Sequence, residues 1–440
     1  MSKGQEKIAV SKLERAGKLV NAGAKVGANY MKHYARKLVK GAPSRAELDE
    51  ENAKDIYEAF SSLKGGPLKL AQMLSMGDQV LPKAYIDQFA MAQNRVTPLS
   101  LPLIRKTFRK SFGKDPMELF EEFSPEAVNA ASIGQVHKAR KGQQYYAIKL
   151  QYPGVADSLQ SDLRMVAPIA TRFLGLKKKD VAPYLKEVEG KLLEETDYEQ
   201  ELRNAEEIIN GCAHLEGLAF PRFDHTLSNE RVLTMTWMDG LALSDWIETN
   251  PSQETRNRMG QRLWDFYQHQ MHQLRVVHAD PHPGNFIITN TEELGIIDFG
   301  CVKRIPDDFY HNYQALIVAG AAPESRKFEQ ALLALNLVYE SDSDAERATI
   351  LQLFGSMFQL VGQPFYAEEF NFGDDAYFEQ IFKRGEALSR DSSVRGLSAR
   401  GSRHFIYFNR TWFGLFQLLN QLKATVRTGQ FLHEITAKAS

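Results

Sequence analysis

The chain has 440 residues, 43% of them hydrophobic and 25% charged, which is the make-up of a folded globular protein with room for one large core or two to three domains. A net charge of −1 excludes a generic polyanion-binding surface, and two cysteines, Cys212 and Cys301, exclude a disulfide framework or a Cys-based zinc centre. No run of 18 apolar residues exists and no apolar core precedes the first charges, so neither a transmembrane helix nor an export signal is expected, and the cytoplasm is the default compartment.

Residues 1–45 form a basic amphipathic segment. Over residues 1–40, ten Lys and Arg face only Glu6 and Glu14, with Ile8, Leu13, Leu19 and Val26 among them at roughly helical spacing. Two readings stand: a helix lying on an anionic membrane surface, which would make the protein peripheral to a membrane, and a helix packed on its own domain. Aromatics are few here, so nucleic acid is not an expected partner.

Residues 46–120 read as a helical extension. Ala46–Leu63 is broken by Gly65-Gly66-Pro67. A helix then resumes over Leu68–Met76 with Lys69 and Gln72 on one face, and a further helical segment follows from Leu101, with turn signals at Gly113 and Pro116. The pattern changes at Phe123. Val128–Ala139 reads as strand, small-residue turn (Ala130-Ala131-Ser132) and strand, and Tyr145–Leu150 follows as a strand after Gly142. Lys149 emerging from such a strand, downstream of a tight loop, is the arrangement that holds α- and β-phosphates. With only Gly134, the loop has less freedom of backbone than a Gly-x-Gly-x-x-Gly turn.

Lys149 needs a carboxylate. Lys186–Asn210 reads as one helix rich in Glu, with Glu194, Glu195, Asp197, Glu199 and Glu201 as candidates. Residues 152–183 form an insertion before it. Arg231–Met238 is a strand ended by Asp239-Gly240, the expected hinge against which adenine would sit; this closes a lobe over 121–239. Ser252 caps a helix running to about Leu274, the start of a second, helical lobe over 240–440.

The most informative stretch is His278-Ala279-Asp280-Pro281-His282-Pro283-Gly284-Asn285, followed by Asp298-Phe299-Gly300. Phe286–Thr289 and Leu294–Ile297 flank a polar turn and read as a β-hairpin, which would bring Asn285 and Asp298 together. Two oxygen ligands for Mg²⁺ would then lie beside Asp280, a carboxylate able to accept a hydroxyl proton. His278 reads as a packing residue. His282 would either donate to a phosphate or hold the loop.

These motifs resemble the UbiB/AarF-type atypical kinases, a branch of the protein-kinase-like superfamily, over roughly residues 20–420. The resemblance implies an α+β, bilobal kinase-like fold with an N-terminal helical extension. It implies ATP (or ADP) and Mg as ligands, with Asp280 in the catalytic-Asp position and Asn285 and Asp298 as metal ligands. It selects Glu201 as the partner of Lys149, and it sets the Lys69/Gln72 helix over the active site against Glu195 and Asp197, with Ala71 where the family carries Gly. Such a helix would block a peptide substrate. After Gly300 the chain runs through Cys301–Pro306 into a helix over Asp307–Ala319 with no long activation segment, and Ala322-Pro323-Glu324 reads as a coincidence in which Pro323 opens the next helix. The implied role is an atypical kinase or ATPase in isoprenoid quinone biosynthesis or lipid homeostasis, with an isoprenoid lipid as a candidate partner and self-association open. Two alternatives stand beside it: a nucleotide-gated module that grips a lipid or protein with little phosphotransfer, and a small-molecule kinase of the aminoglycoside or choline type. Phe405–Leu422 reads as a core helix, or more sharply as a lipid groove.

Overall fold

The structure is a computed structural model. It describes residues 14–15, 17–18, 21, 24–25, 28–29, 45–63, 67, 84, 98–130, 133–173, 189–190, 193–390, 400–401 and 403–429. The fold is α+β, with many helices and small sheets, and divides into two compact units: residues 1–203 with 222–237, and residues 204–221 with 238–440.

The first unit begins, among its longer elements, with α1 (Arg45–Leu63), α2 (Leu101–Phe112) and α3 (Pro116–Leu119). Helix α2 ends at Gly113 in the left-handed region (φ 69°), and α3 starts under a capping box of Asp115 and Glu118, so both expected turn signals act as stop and start. The sheet contains β1 (Glu122–Phe123), β2 (Asn129–Ala130), β3 (Gly134–Lys141), β4 (Gln144–Gln151) and later β6 (Val232–Thr236), in the order β1-β3-β4-β6 with β2 on β3. A two-residue turn at Gly142 (φ 60°) joins β3 to β4. Ile148 and Leu150 of β4 and Val232 and Leu233 of β6 are fully buried. Phe108 of α2 packs edge-on against Phe120 and Phe123, which closes one end of the sheet.

The expected insertion holds α4 (Val155–Phe173). Asp162 on α4 takes a bidentate ion pair from Arg15 (Nε to Oδ1 2.8 Å), and both side chains are completely buried. Lys25 pairs with Asp55 of α1 at 3.7 Å, and Asn29 donates to Asn52 and Asp55. Arg15, Lys25 and Asn29 of the basic N-terminal segment thus contact their own unit. The single helix expected over Lys186–Asn210 is interrupted. Asp197 accepts the Gln200 amide at 2.8 Å, which starts a fresh helix α5 (Tyr198–Cys212), while residues 193–195 end a separate helical turn.

The second unit holds β5 (Leu218–Ala219), β7 (Gly240–Ala242), α6 (Leu243–Glu248) and α7 (Gln253–His269), which Ser252 caps through the Thr255 amide. The expected end near Leu274 is reached by a π-helical turn over 270–274, closed by Arg275 in the left-handed region (φ 60°). Then come β8 (Val276–His278), β9 (Phe286–Thr289), β10 (Leu294–Ile296), β11 (Val302–Arg304), α8 (Asp307–Ala319), α9 (Arg326–Ala334), α10 (Asp344–Val361), α11 (Gln363–Tyr366), β12 (Glu369–Asn371), α12 (Asp375–Arg390), α13 (Arg403–Gln421) and β13 (Thr425–Arg427). The main sheet runs β5-β10-β9-β7, and β11 pairs with β8. Pro323 lies in the turn before α9, which starts instead under Ser325. Helix α13 packs in the core, as expected: Leu415, Phe416, Leu418 and Leu419 are buried, and Trp412 packs on Trp264 of α7 and on Phe365.

Candidate active site

In the first unit the site begins with Lys149. Alternation along β4 buries Ile148 and Leu150 and turns Lys149 to the other face. Its ammonium meets both carboxylate oxygens of Glu201, at 2.6 and 2.9 Å, and lies 5.3 Å from the ring centroid of Tyr198. Glu201 is only 2% exposed, one turn into α5, whereas Glu199 is 60% exposed. The structure pairs Glu201 with the lysine. Glu195 and Asp197 lie just ahead of α5, where Asp197 serves as its cap. Lys69, Gln72 and Ala71 lie outside the described residues, as do Ala131 and Ser132. Ala130 is described as a backbone position at the end of β2.

Gly134 is required by close approach. A Cβ there would sit 2.7 Å from the Leu150 carbonyl oxygen and 2.7 Å from the Tyr198 hydroxyl. Beside it, Gln135 and His137 form a buried chain. Gln135 accepts the Leu99 amide at 2.7 Å, its own amide meets His137 Nε2 at 2.6 Å, and His137 Nδ1 meets the Ser124 carbonyl at 2.8 Å. A carbonyl only accepts, so Nδ1 carries the proton and Nε2 accepts from Gln135. The ring is held neutral, and burial lowers its pKa below the usual histidine value.

In the second unit, His278 is pinned at three points. Its amide donates to Gln270 Oε1 at 2.7 Å, Nε2 meets the Asp298 carbonyl at 2.8 Å, and Nδ1 meets the Tyr267 hydroxyl at 3.2 Å. Nε2 must therefore donate, and in the neutral ring Nδ1 accepts from Tyr267. Burial, reinforced by the Asp280 charge, pushes the Tyr267 phenol well above its ordinary range, so that donor keeps its proton. His278 is a packing and positioning residue.

The hairpin β9–β10 forms in the register Phe286↔Ile296, and the Ile297 amide donates to the Asn285 carbonyl at 3.1 Å. This brings Asn285 to within one residue of Asp298 across the ladder. Asn285 Nδ2 donates to the Asp280 carbonyl at 2.8 Å and to its Oδ2 at 3.2 Å, so Oδ1 is the atom the amide could offer a metal. The Gly300 amide donates to Asp298 Oδ1 at 3.0 Å, and the Asn204 side chain reaches the Phe299 carbonyl at 3.5 Å. His282 Nδ1 accepts the Gly284 amide at 3.1 Å and caps the short 3-10 turn 283–285, so this nitrogen holds the loop.

One support is not legible in the sequence. Gly414 of α13 lies under Pro281, and a Cβ there would be 2.3 Å from Pro281 Cγ.

Strand-borne Lys149 with Glu201, and a hairpin loop carrying Asp280, Asn285 and Asp298, define a protein-kinase-like chain. Residues 91–332 match the ABC1 atypical kinase-like domain, and the chain belongs to that family. It is 25% identical over 448 residues to the mitochondrial atypical kinase COQ8 of Saccharomyces cerevisiae, covering 98% of this chain and 86% of that one. It is 26% identical to the probable serine/threonine-protein kinase abkA of Dictyostelium discoideum, covering 80% of this chain and 67% of that one. Against a chloroplast relative of Arabidopsis thaliana, ACTIVITY OF BC1 COMPLEX KINASE 8, the match is 28% identical and spans only 44% of the relative's length. The solved structure of Rv3197 from Mycobacterium tuberculosis, in complex with erythromycin, shares the fold with a TM-score of 0.60 at 24% identity, covering 89% of this chain and 97% of that one. Among the described residues, no helix is long and apolar enough to cross a membrane.

Proposed function

We propose that the protein is an ATP-binding, Mg²⁺-dependent atypical kinase or ATPase that works in isoprenoid quinone biosynthesis or lipid homeostasis rather than on protein substrates. The observation that carries this reading is the second unit's loop, where Asn285 is tied to Asp280 and hairpin register places it beside Asp298. An amide oxygen and a carboxylate are hard donors of the kind Mg²⁺ takes, with water and phosphate oxygens as its other ligands. When bound, the ion would neutralise charge developing on the transferring phosphoryl group.

The chain's own residues take the remaining roles. Lys149, held by Glu201, binds α- and β-phosphate oxygens as a fixed cation. Asp280 orients the attacking hydroxyl or water and takes its proton. His282 holds the loop through Nδ1. The family resemblance assigns Glu195 and Asp197 as partners of Lys69 and Gln72, which lie outside the described residues, and a cover of that kind would keep peptides out. The relatives named atypical kinase COQ8 support the kinase class, and the family resemblance supports the quinone link, with an anionic membrane or an isoprenoid lipid as the partner proposed.

The test is phosphate release from ATP with Mg²⁺ by the wild type and Asp298→Asn, with and without vesicles of anionic and quinone-like lipid. Turnover that rises with lipid and falls by at least about a hundredfold in the variant is expected. Unchanged turnover in Asp298→Asn would overturn the metal assignment. Nucleotide binding without turnover under every lipid would replace the enzyme by a nucleotide-gated binding module.

A further inference from the structure

The second unit contains a cavity of about 840 Å³ that the loop 278–300 does not use, within the volume range of small-molecule sites. It lies between the π-helical turn 270–274, α8 and α9. Its apolar wall is made of small side chains, Ala315, Val318 and Ala319 from α8 with Ala331 and Ala334 from α9, and their size is what leaves the space open. The polar side brings Arg275, Lys327 and His272, and among the described residues lining the cavity none is Asp or Glu.

Arg275 is the informative residue. Its backbone sits in the left-handed region at φ 60°, a conformation that costs a non-glycine residue about 1 kcal/mol and persists only when its surroundings hold it. Ile305 holds it by donating its amide to the Arg275 carbonyl at 2.9 Å. The guanidinium lies over the Tyr310 ring, and His272 Nδ1 fixes that ring by meeting its hydroxyl at 2.8 Å. Arg275 Nη1 is nevertheless buried without a hydrogen bond among the described residues. A buried cationic N–H with no acceptor is costly, and an anion supplied from outside removes the cost. Burial lowers the pKa of this guanidinium, opposed by Tyr310 and by the charge of Asp307 at the start of α8.

We infer that this cavity is a second ligand site, separate from the candidate active site, that takes an amphipathic organic anion: an apolar body against the alanine wall and a carboxylate or phosphate on Arg275 and Lys327. The inference does not rest on the nucleotide reading and is tested without nucleotide.

The experiment is calorimetric titration of the full chain with dodecyl phosphate below its micelle concentration, beside dodecanol and inorganic phosphate. Saturable one-to-one binding of dodecyl phosphate is expected, with both half-probes at least about tenfold weaker, the worth of one charge-assisted hydrogen bond. Ala315→Trp fills the cavity from an exposed helical position and should weaken binding at least about tenfold; Lys327→Gln, also exposed, should weaken the phosphate probe but not dodecanol. Thermal melts matching the wild type establish that both variants fold. Co-sedimentation with phosphatidylglycerol vesicles that Ala315→Trp abolishes would support the site with a membrane lipid as the source. Binding of dodecyl phosphate without vesicle binding would support it with a soluble anion. Dodecanol binding as tightly as dodecyl phosphate, undiminished binding in a folded Ala315→Trp, or no binding of dodecyl phosphate would each overturn the inference.

Discussion

Gly414→Ala is the most informative perturbation of the loop that carries Asp280. The added Cβ would lie 2.3 Å from Pro281 Cγ and 3.2 Å from the Pro281 carbonyl oxygen, whereas ordinary contact begins near 3.4 Å. The first gap must open by about 1 Å, and a proline ring has no rotamer by which to move aside. Pro281 follows Asp280 directly, so relief comes by shifting the loop away from α13. Overpacking of this kind costs about 1–3 kcal/mol, offset by about 1 kcal/mol because alanine favours the helix over glycine. The net loss of stability is therefore small, up to about 2 kcal/mol. Turnover should suffer more, because a displacement of about 1 Å at reacting groups is worth roughly a hundredfold. Gly385→Ala is the matched control. It also lies in a helix, but its Cβ would meet nothing within 4 Å, so it should gain about 1 kcal/mol and leave turnover alone. The assay pairs denaturant melts with Mg²⁺-dependent phosphate release. If Gly414→Ala lost stability but kept wild-type turnover, α13 rather than the loop would be yielding, and the claim that this glycine positions Asp280 would fail.

Three further outcomes are expected. Glu201→Gln leaves the Lys149 ammonium, only 18% exposed, without its carboxylate; urea melts should show a loss toward the low end of the roughly 3–5 kcal/mol typical of a broken buried pair, together with weaker nucleotide binding. Asp162→Asn strands the fully buried Arg15 and should cost a similar amount, while the paired replacement Arg15→Met with Asp162→Leu should recover most of it; a silent Asp162→Asn in thermal melts would detach residue 15 from the folded unit. His137 has a folded pKa below its ordinary value of 6.5, so its contribution is complete above pH 6.5 and is lost as pH falls from there through the lowered folded pKa, with a slope of at most about 1.4 kcal/mol per pH unit. His137→Gln should flatten the stability profile of the wild type below pH 6.5, which pH-resolved urea melts would read.

What was legible in the sequence follows the range of the interactions. Asp280, Asn285 and Asp298 are joined by one hairpin, and the hairpin announces itself through two apolar runs about a polar turn, so local pattern sufficed to bring Asn285 next to Asp298. Glu201 stands 52 residues from Lys149 in a stretch with several acids, and helical pattern alone could not choose among them. The break at Asp197 was missed because an Asp in a Glu-rich run reads as one more helical residue until its side chain is seen on the Gln200 amide. Strand β11 is three residues long, too short to show a period, and it exists because β8 offers it a partner. The contact of Gly414 with Pro281 leaves no trace in either stretch, since a glycine inside an apolar helix looks like a defect until its neighbour is known.

His278 explains why a histidine, not merely a small polar residue, precedes the Asp280 loop. The Asp298 carbonyl and the Tyr267 hydroxyl lie at its two ring nitrogens, one requiring a donor and the other a donor's acceptor. A neutral imidazole meets both demands with one rigid ring. Asparagine could donate to the carbonyl but is too short to span to the phenol as well. The Asp298 backbone is thus set by the His278 ring, whose own amide is anchored on Gln270 at the end of α7. Placement of the candidate metal ligand is therefore supported from the helical core, through Tyr267 and Gln270, as well as by the register of the hairpin. A change at Tyr267 or Gln270 should therefore register at Asp298.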